Sequence, residues 1–128
     1  MDHQAKKKFS LKARLRSFSF AFAGIFAVLK TQHNFWIHLL AATIVILAGF
    51  VFGLTRMEWV IITLTIGFVL SAEIMNSAIE YLVDLLSPQH NPKAGLIKDV
   101  AAAAVLVSAI AAAIVGLLIF IPKIIQLL

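Results

Sequence analysis

The sequence predicts an all-α membrane protein, with an interfacial amphipathic helix at the N-terminus followed by three transmembrane helices. The chain has 128 residues, which is one domain at most, and 62% of them are apolar. Its mean hydropathy of +1.00 is far above that of a soluble domain. Three apolar segments reach the roughly 20 residues that a helix needs to cross a bilayer. Seven of the 11 Lys and Arg residues precede the first of these segments, as expected beside an anionic cytoplasmic leaflet.

We divide this single membrane domain into a basic tail (1–8), an amphipathic surface helix (9–31) and transmembrane helices at 35–54, 59–86 and 96–121. In the surface helix, apolar residues recur at alternating steps of four and three, which places them on one ridge: Leu11, Leu15, Phe18, Phe22, Ile25 and Leu29. A basic tail followed by an apolar stretch is also typical of a signal peptide. The ridge favours a helix that lies on the inner leaflet.

The remaining basic residues orient the chain in the membrane. The second loop carries Lys93 and Lys98, whereas the first turn carries only Arg56 and the C-terminus only Lys123. By the positive-inside rule, the N-terminus and the second loop face the cytoplasm and the C-terminus lies outside. A basic patch can also bind nucleic acid. Beside three apolar spans it indicates lipid, so we expect no nucleic-acid partner.

One polar stripe interrupts the second span. Glu73, Asn76, Glu80 and Asp84 fall within about 80° of one another on a helix. Counted from Trp59 at 1.5 Å per residue, Glu73 lies about 21 Å along the axis, in the inner third of a hydrocarbon core of about 30 Å. Glu80 and Asp84 then lie at the cytoplasmic boundary. Ionisable residues at membrane depth usually mark a functional site.

The chemistry of this stripe suits phosphoryl transfer to a membrane alcohol. Carboxylates without His or Cys partners suit Mg²⁺, and the deeper Glu73 suits a general base. Asn76 and Lys98 could position phosphate oxygens, and positioning with charge neutralisation dominates phosphoryl transfer. The Walker A motif and the glycine-rich loop of protein kinases are both absent.

Lys98 and Asp99 are expected at the cytoplasmic start of the third span. Free amides at a helix N-terminus together with a lysine would form an anion site. Alternatively, Lys98 only extends to the interface and Asp99 only caps the helix. We interpret His33 and His38 as interfacial anchors at the start of the first span.

Small residues follow at four-residue steps in the third span, a spacing that allows close helix packing: Ala104, Ser108, Ala112 and Gly116. Because three spans offer little surface to enclose a polar site, we expect an oligomer. The absence of cysteine excludes disulfides and thiolate metal sites.

The run from Glu73 to Asp84, EIMNSAIEYLVD, followed by Lys98-Asp99-Val, resembles the bacterial integral-membrane diacylglycerol kinase and undecaprenol kinase family. The resemblance extends over nearly the whole chain. It implies a homotrimer with active sites shared between subunits, located in the bacterial cytoplasmic (inner) membrane. It also implies that Mg²⁺ and ATP serve to phosphorylate a membrane lipid alcohol, either undecaprenol or diacylglycerol.

The resemblance also implies roles for individual residues. Glu73 would be the catalytic base and Glu80 a metal ligand. The nucleotide would be contacted by Asn76, Lys98 and Asp99, with the loop Gln89, His90 and Asn91 beside it and Asp84 in support.

The chain departs from the family pattern at two places. Gln32 stands where the family has a second metal-binding glutamate, and an amide oxygen brings no charge to the metal. Ala23 stands where a basic residue is often found, so Arg14 or Arg16 would have to contact phosphate instead. The alternatives are a weakened paralogue that binds lipid or nucleotide, or a small ion-conducting bundle. Residues 59–70 disfavour the bundle, because their only polar side chains are threonines.

Overall fold

The computed structural model describes residues 9–128, which form four α-helices and no strand. The helices are α1 (Leu11–Thr31), α2 (His33–Val51), α3 (Arg56–Leu86) and α4 (Pro92–Ile125). By length and composition, α2, α3 and α4 can each cross a membrane. The predicted all-α class with three spans is therefore confirmed. The predicted basic tail at 1–8 lies outside the described residues.

A single non-helical residue separates α1 from α2. The backbone of Gln32 is extended, with φ −111° and ψ 106°, so it ends α1 and begins α2. The Trp36 indole donates a hydrogen bond of 2.7 Å to the carbonyl of Leu29, across this break. The angle between the two helices is thus fixed next to Gln32. The apolar ridge of α1 is exposed apart from the half-buried Leu29, and its placement on a membrane surface stays a prediction.

The turn between α2 and α3 is closed by two local motifs. Gly53 has φ +62°, and the amide of Leu54 donates to the carbonyl of Gly49 at 3.0 Å, which is a Schellman ending. Thr55 and Glu58 then form a capping box, in which each side chain accepts a hydrogen bond from the other residue's backbone. These motifs reverse the chain within a few residues, so α3 returns antiparallel to α2.

Helices α3 and α4 form a hairpin, with a helix cap at the turn and an ion pair between the helices at the opposite end. At the turn, the side chain of Asn91 accepts a hydrogen bond of 2.9 Å from the amide of Lys93, and Pro92 occupies the first turn of α4. At the opposite end, the Lys123 ammonium lies 3.0 Å from the Glu58 carboxylate. Because Asn91 caps the helix, α4 begins at Pro92, four residues before the predicted start of the third span.

The most deeply buried side chains of α3 and α4 are two serines. Ser77 is 1% exposed and Ser108 is 2% exposed. The other buried residues of α4 are Ala101 and Val105. The packed positions of α4 therefore step by four and then three, whereas the predicted small-residue stripe steps by four throughout. A constant step of four drifts by about 40° per step around a helix, which is why Ala104 is exposed.

An apolar cavity of about 540 Å³ lies between α2, α3 and α4. Its walls include Val45 of α2, Ile66 and Val69 of α3 and Phe120 of α4. His38 is at its boundary as a polar lining residue. Helix α2 packs on α3 less closely than α4 does.

Gly49→Ala is expected to destabilise the fold. A Cβ at Gly49 would lie 2.7 Å from the indole ring of Trp59, so the ring would have to move. Overpacking of this kind costs about 1–3 kcal/mol, against a gain of about 1 kcal/mol in helix propensity. Gly67→Ala is the matched control, because it has the same propensity gain and nothing within 4 Å of its Cβ. Thermal unfolding in detergent should give a lower Tm for Gly49→Ala than for Gly67→Ala, and equal Tm values would contradict the contact.

Candidate active site

The polar stripe of α3 begins with a buried carboxylate. Glu73 is 2% exposed, and its Oε1 lies 2.9 Å from Nε2 of His38 on α2. One turn further along, the hydroxyl of the buried Ser77 donates to the main-chain carbonyl of Glu73 at 2.9 Å. The side chain of Glu73 is therefore held from another helix by His38, a residue that we interpreted only as an interfacial anchor.

Two turns along α3, a second carboxylate accepts hydrogen bonds from two amides. Asn76 Nδ2 donates to Glu80 Oε1 at 3.0 Å, and Gln32 Nε2 donates to Glu80 Oε2 at 3.2 Å. We call Gln32, Asn76 and Glu80 the amide–carboxylate cluster. Each oxygen of Glu80 has one donor, which suits an ionised carboxylate. The structure thus brings three of the predicted site residues together.

The end of α1 is fastened to α3 next to this cluster. The hydroxyl of Thr31 donates to the carbonyl of Ala27 at 2.9 Å, and the hydroxyls of Thr31 and Tyr81 are hydrogen-bonded to each other. Since a threonine hydroxyl has one hydrogen, Tyr81 is the donor to Thr31. This link holds Gln32 against Glu80, although the two residues are 48 positions apart in the chain.

The amide–carboxylate cluster offers oxygen ligands of the kind that a hard divalent cation prefers. Asn76 Oδ1 is buried and has no hydrogen-bond partner, and buried polar atoms of this kind usually have one. It is an oxygen atom beside a carboxylate, which is the ligand chemistry that Mg²⁺ prefers. Within residues 9–128, no group of three or more His, Cys, Asp or Glu side chains could hold a metal ion. The one carboxylate and the two amides of the cluster could supply part of the oxygen shell of Mg²⁺.

Lys98 lies across from the last carboxylate of the stripe. Its ammonium forms an ion pair with Asp84, which joins α4 to α3. The expected anion site of free helix amides beside Lys98 and Asp99 is wrong in position, because α4 begins at Pro92. For the same reason Asp99 does not cap the helix; Asn91 does. Asp99 is exposed on the turn that follows the first turn of α4.

The loop between α3 and α4 contains the three residues expected beside the nucleotide. Gln89, His90 and Asn91 are exposed and line a pocket of about 310 Å³ together with Ser87 and Pro88. The side-chain oxygen of Asn91, Oδ1, already accepts the hydrogen bond that caps α4. Its side chain therefore shapes the start of α4, and a contact of these three residues with a nucleotide stays a prediction.

The two arginines of α1 are exposed. The guanidinium of Arg14 lies 5.8 Å from the ring centroid of Phe9, and that of Arg16 lies 6.0 Å from the ring centroid of Phe20. Both contacts are within the N-terminal segment itself. A phosphate contact for either arginine stays a prediction.

The sequence pattern of the prokaryotic diacylglycerol kinase family matches residues 19–120, which contain α2, α3, most of α4 and the amide–carboxylate cluster. The chain belongs to this family. The predicted family is therefore confirmed and, with it, the predicted enzyme class, a lipid kinase. The three apolar helices of a membrane kinase family make it a membrane protein.

Two named relatives of this diacylglycerol kinase family show how the chain is related to its members. It is 46% identical over 108 residues to undecaprenol kinase of Bacillus subtilis, a match that covers 84% of this chain and 88% of the relative. It is 38% identical over 115 residues to diacylglycerol kinase of Synechocystis, covering 89% of this chain and 66% of the relative. The chain thus spans just under two thirds of the second relative, which is the longer protein.

Proposed function

We propose that this chain transfers the γ-phosphoryl group of ATP to the hydroxyl of undecaprenol at the cytoplasmic boundary of the membrane. The observation that carries the proposal is the placement of buried Glu73 on the same face of α3 as Asn76 and Glu80 of the amide–carboxylate cluster, which follow it by about one and two turns. The greater identity to the undecaprenol kinase than to the diacylglycerol kinase supports undecaprenol as the acceptor. Diacylglycerol is the alternative acceptor.

In the proposed reaction, Glu73 takes the proton of the lipid hydroxyl while the hydroxyl oxygen attacks the γ-phosphorus. The bond between that phosphorus and the bridging oxygen of ADP breaks, so the products are the lipid phosphate and ADP. The proton stays on Glu73 until it is released to water. A base held within hydrogen-bond reach of the acceptor is the usual means of activating a hydroxyl for such a transfer.

Glu80, Gln32 and Asn76 are the residues that would hold Mg²⁺ together with the nucleotide phosphates. Bound there, Mg²⁺ would neutralise the negative charge of the phosphate oxygens. The amide of Gln32 now points its nitrogen at Glu80, and rotation about its last bond would present its oxygen instead. Lys98, held next to Asp84, is placed to add a positive charge beside the phosphates, with Asp99 and the loop at Gln89 and His90 near the nucleotide.

The lengths of the helices support a site at the membrane boundary. Helix α3 has 31 residues and α4 has 34, or about 46 Å and 51 Å at 1.5 Å per residue. Both exceed a hydrocarbon core of about 30 Å, so their ends extend beyond it. With the N-terminus and the α3–α4 loop in the cytoplasm of a bacterium, the amide–carboxylate cluster meets soluble ATP while Glu73 stays at the depth of the lipid.

We further propose a homotrimer whose subunits share active sites. Each chain offers one carboxylate in the amide–carboxylate cluster. The apolar cavity beside α2 shows that one chain leaves space between its own helices. Residues of a neighbouring subunit would close the site on the sides that these four helices leave open.

Gln32→Glu is expected to lower the KM for Mg²⁺ by roughly threefold to tenfold, because charge count tunes cation affinity. In the absence of Mg²⁺ the variant should be less stable than the wild type, since two carboxylates would then face each other where an amide now donates to Glu80. Gln126→Glu adds the same charge at the far end of α4 and is the control. An unchanged KM for Mg²⁺ would show that Gln32 does not contact the metal.

The substrate is tested by initial rates in lipid nanodiscs that contain either undecaprenol or diacylglycerol, with Mg²⁺ and ATP. We expect a higher kcat/KM for undecaprenol. A higher value for diacylglycerol would reverse the assignment of the acceptor. A folded protein that phosphorylates neither alcohol would favour the alternative, a weakened paralogue that binds lipid or nucleotide.

A further inference from the structure

The contact between His38 and Glu73 lies outside the roles assigned so far. The side chain of Glu73 is 3% exposed and that of His38 is 21% exposed, and the distance between Nε2 and Oε1 is 2.9 Å. An ionised carboxylate away from water is costly unless it is hydrogen-bonded. His38 supplies that bond from a different helix, so the conformation of Glu73 depends on how α2 lies against α3.

The surroundings of His38 differ from those of an interfacial anchor. His33, at the first position of α2, is exposed, whereas His38 is half-buried and turned towards α3. His38 also lines the apolar cavity of about 540 Å³. One side of the imidazole therefore contacts Glu73 and another borders the apolar space between the spans.

The chemistry of the contact leaves Glu73 able to act as a base. A neutral imidazole that carries its hydrogen on Nε2 donates to Oε1 of the carboxylate. The second oxygen, Oε2, keeps its capacity to accept a proton. A glutamate side chain has three rotatable bonds, and a hydrogen bond at one oxygen limits where the other oxygen can lie.

We infer that His38 is a positioning residue for phosphoryl transfer, which holds the Glu73 carboxylate so that its free oxygen meets the hydroxyl of the lipid alcohol. This inference rests on the proposed function, in which Glu73 is the base. The hydrogen bond from His38 stays on Oε1 while the proton of the alcohol moves to Oε2. His38 itself neither gains nor loses a proton in the step.

Two substitutions of His38 that differ in the length of the side chain distinguish a positioning role from a packing role. The side-chain nitrogen of glutamine can occupy the place of the imidazole Nε2, whereas that of the shorter asparagine cannot. His38→Asn should lower kcat by roughly 10- to 100-fold, because small displacements of a reacting group cost about that much. His38→Gln should keep kcat within about threefold of the wild type. The KM values for ATP and for the lipid should stay unchanged in both variants.

The experiment measures kcat and KM for undecaprenol phosphorylation by five proteins in nanodiscs: the wild type, His38→Asn, His38→Gln, Glu73→Gln and the double variant His38→Asn/Glu73→Gln. A sixth protein, His33→Gln, is measured in the same way as the control for a histidine in the same helix. Helicity by circular dichroism and elution of the intact oligomer show that each variant is folded. If His38 acts through Glu73, the double variant is no slower than Glu73→Gln alone.

The outcomes distinguish this inference from the function on which it rests. Full activity of a folded His38→Asn variant, or losses that multiply in the double variant, would overturn the positioning role and leave the kinase intact. A rise in the lipid KM with unchanged kcat would likewise overturn it and assign His38 to the apolar cavity. An inactive wild type would overturn the proposed function and this inference together.

Discussion

Glu73→Gln is expected to lower kcat for lipid phosphorylation by about 10²- to 10⁴-fold, the range that a general base contributes. The amide has nearly the same shape and can still accept the hydrogen bond from His38 at 2.9 Å, but it cannot take a proton from the lipid hydroxyl. The fold should tolerate the change, because the buried position keeps a polar partner. Initial rates with saturating ATP and undecaprenol measure the effect.

The control for Glu73→Gln is Glu58→Gln, the same substitution in the same helix. Glu58 lies at the opposite end of α3, in the capping box and in an ion pair with Lys123. Its loss should lower the Tm and leave kcat unchanged. A Glu73→Gln variant with full activity would remove Glu73 as the base, whatever the acceptor lipid.

Glu80→Gln is expected to lower kcat/KM for ATP with Mg²⁺ by about 100-fold or more, since removal of one stabilising group in a phosphoryl-transfer or oxyanion site costs about that much. Glu80 is the carboxylate in the amide–carboxylate cluster and accepts hydrogen bonds from both Gln32 and Asn76. A glutamine at this position brings no negative charge to a cation. Its own NH₂ group would also face the NH₂ group of Gln32 or Asn76, which now donates to Glu80.

Excess Mg²⁺ distinguishes the causes of this loss. If the charge of Glu80 holds the cation, raising the Mg²⁺ concentration should recover part of the activity of Glu80→Gln. Asp84→Asn is the graded comparison, because Asp84 is exposed and, within residues 9–128, is paired with Lys98 alone. Exposed ion pairs contribute about 1 kcal/mol or less, so its loss should stay under about tenfold. An equal loss in both variants, unaffected by Mg²⁺, would contradict a metal role for Glu80.

The spans and the polar stripe could be predicted from the sequence because both depend on local periodicity. A helix of known pitch places Glu73, Asn76 and Glu80 on one face whatever surrounds it. The hydrogen bond between Asn76 and Glu80 follows from that spacing. Family resemblance identified the same residues by a different route.

The partners of this stripe on other helices could not be predicted in the same way. The bond from His38 to Glu73 joins α2 to α3 and depends on the angle at which the two helices meet. The bond from Gln32 to Glu80 depends on the one-residue break between α1 and α2 and on the link between Thr31 and Tyr81. The spacing of residues within one helix does not predict which residues of another helix they contact.

The start of α4 was predictable and was nevertheless misplaced. Asn91 followed by Pro92 is a typical helix start, with a capping side chain and then a residue that needs no amide partner. Hydropathy begins to rise only after Lys98, since the first turns of α4 are more polar than the rest. An apolar pattern locates the part of a helix that meets lipid, whereas its caps locate its ends.

The central claim is that the polar face of α3 performs phosphoryl transfer from ATP to a membrane alcohol. The most direct measurement is mass spectrometry of the lipid products, together with ADP release, for the purified protein in bilayers that contain undecaprenol. The account predicts undecaprenyl phosphate and ADP in equal amounts, with formation that requires Mg²⁺ and is lost in Glu73→Gln. ADP without a lipid phosphate, or lipid phosphate formed at the same rate by Glu73→Gln, would contradict it.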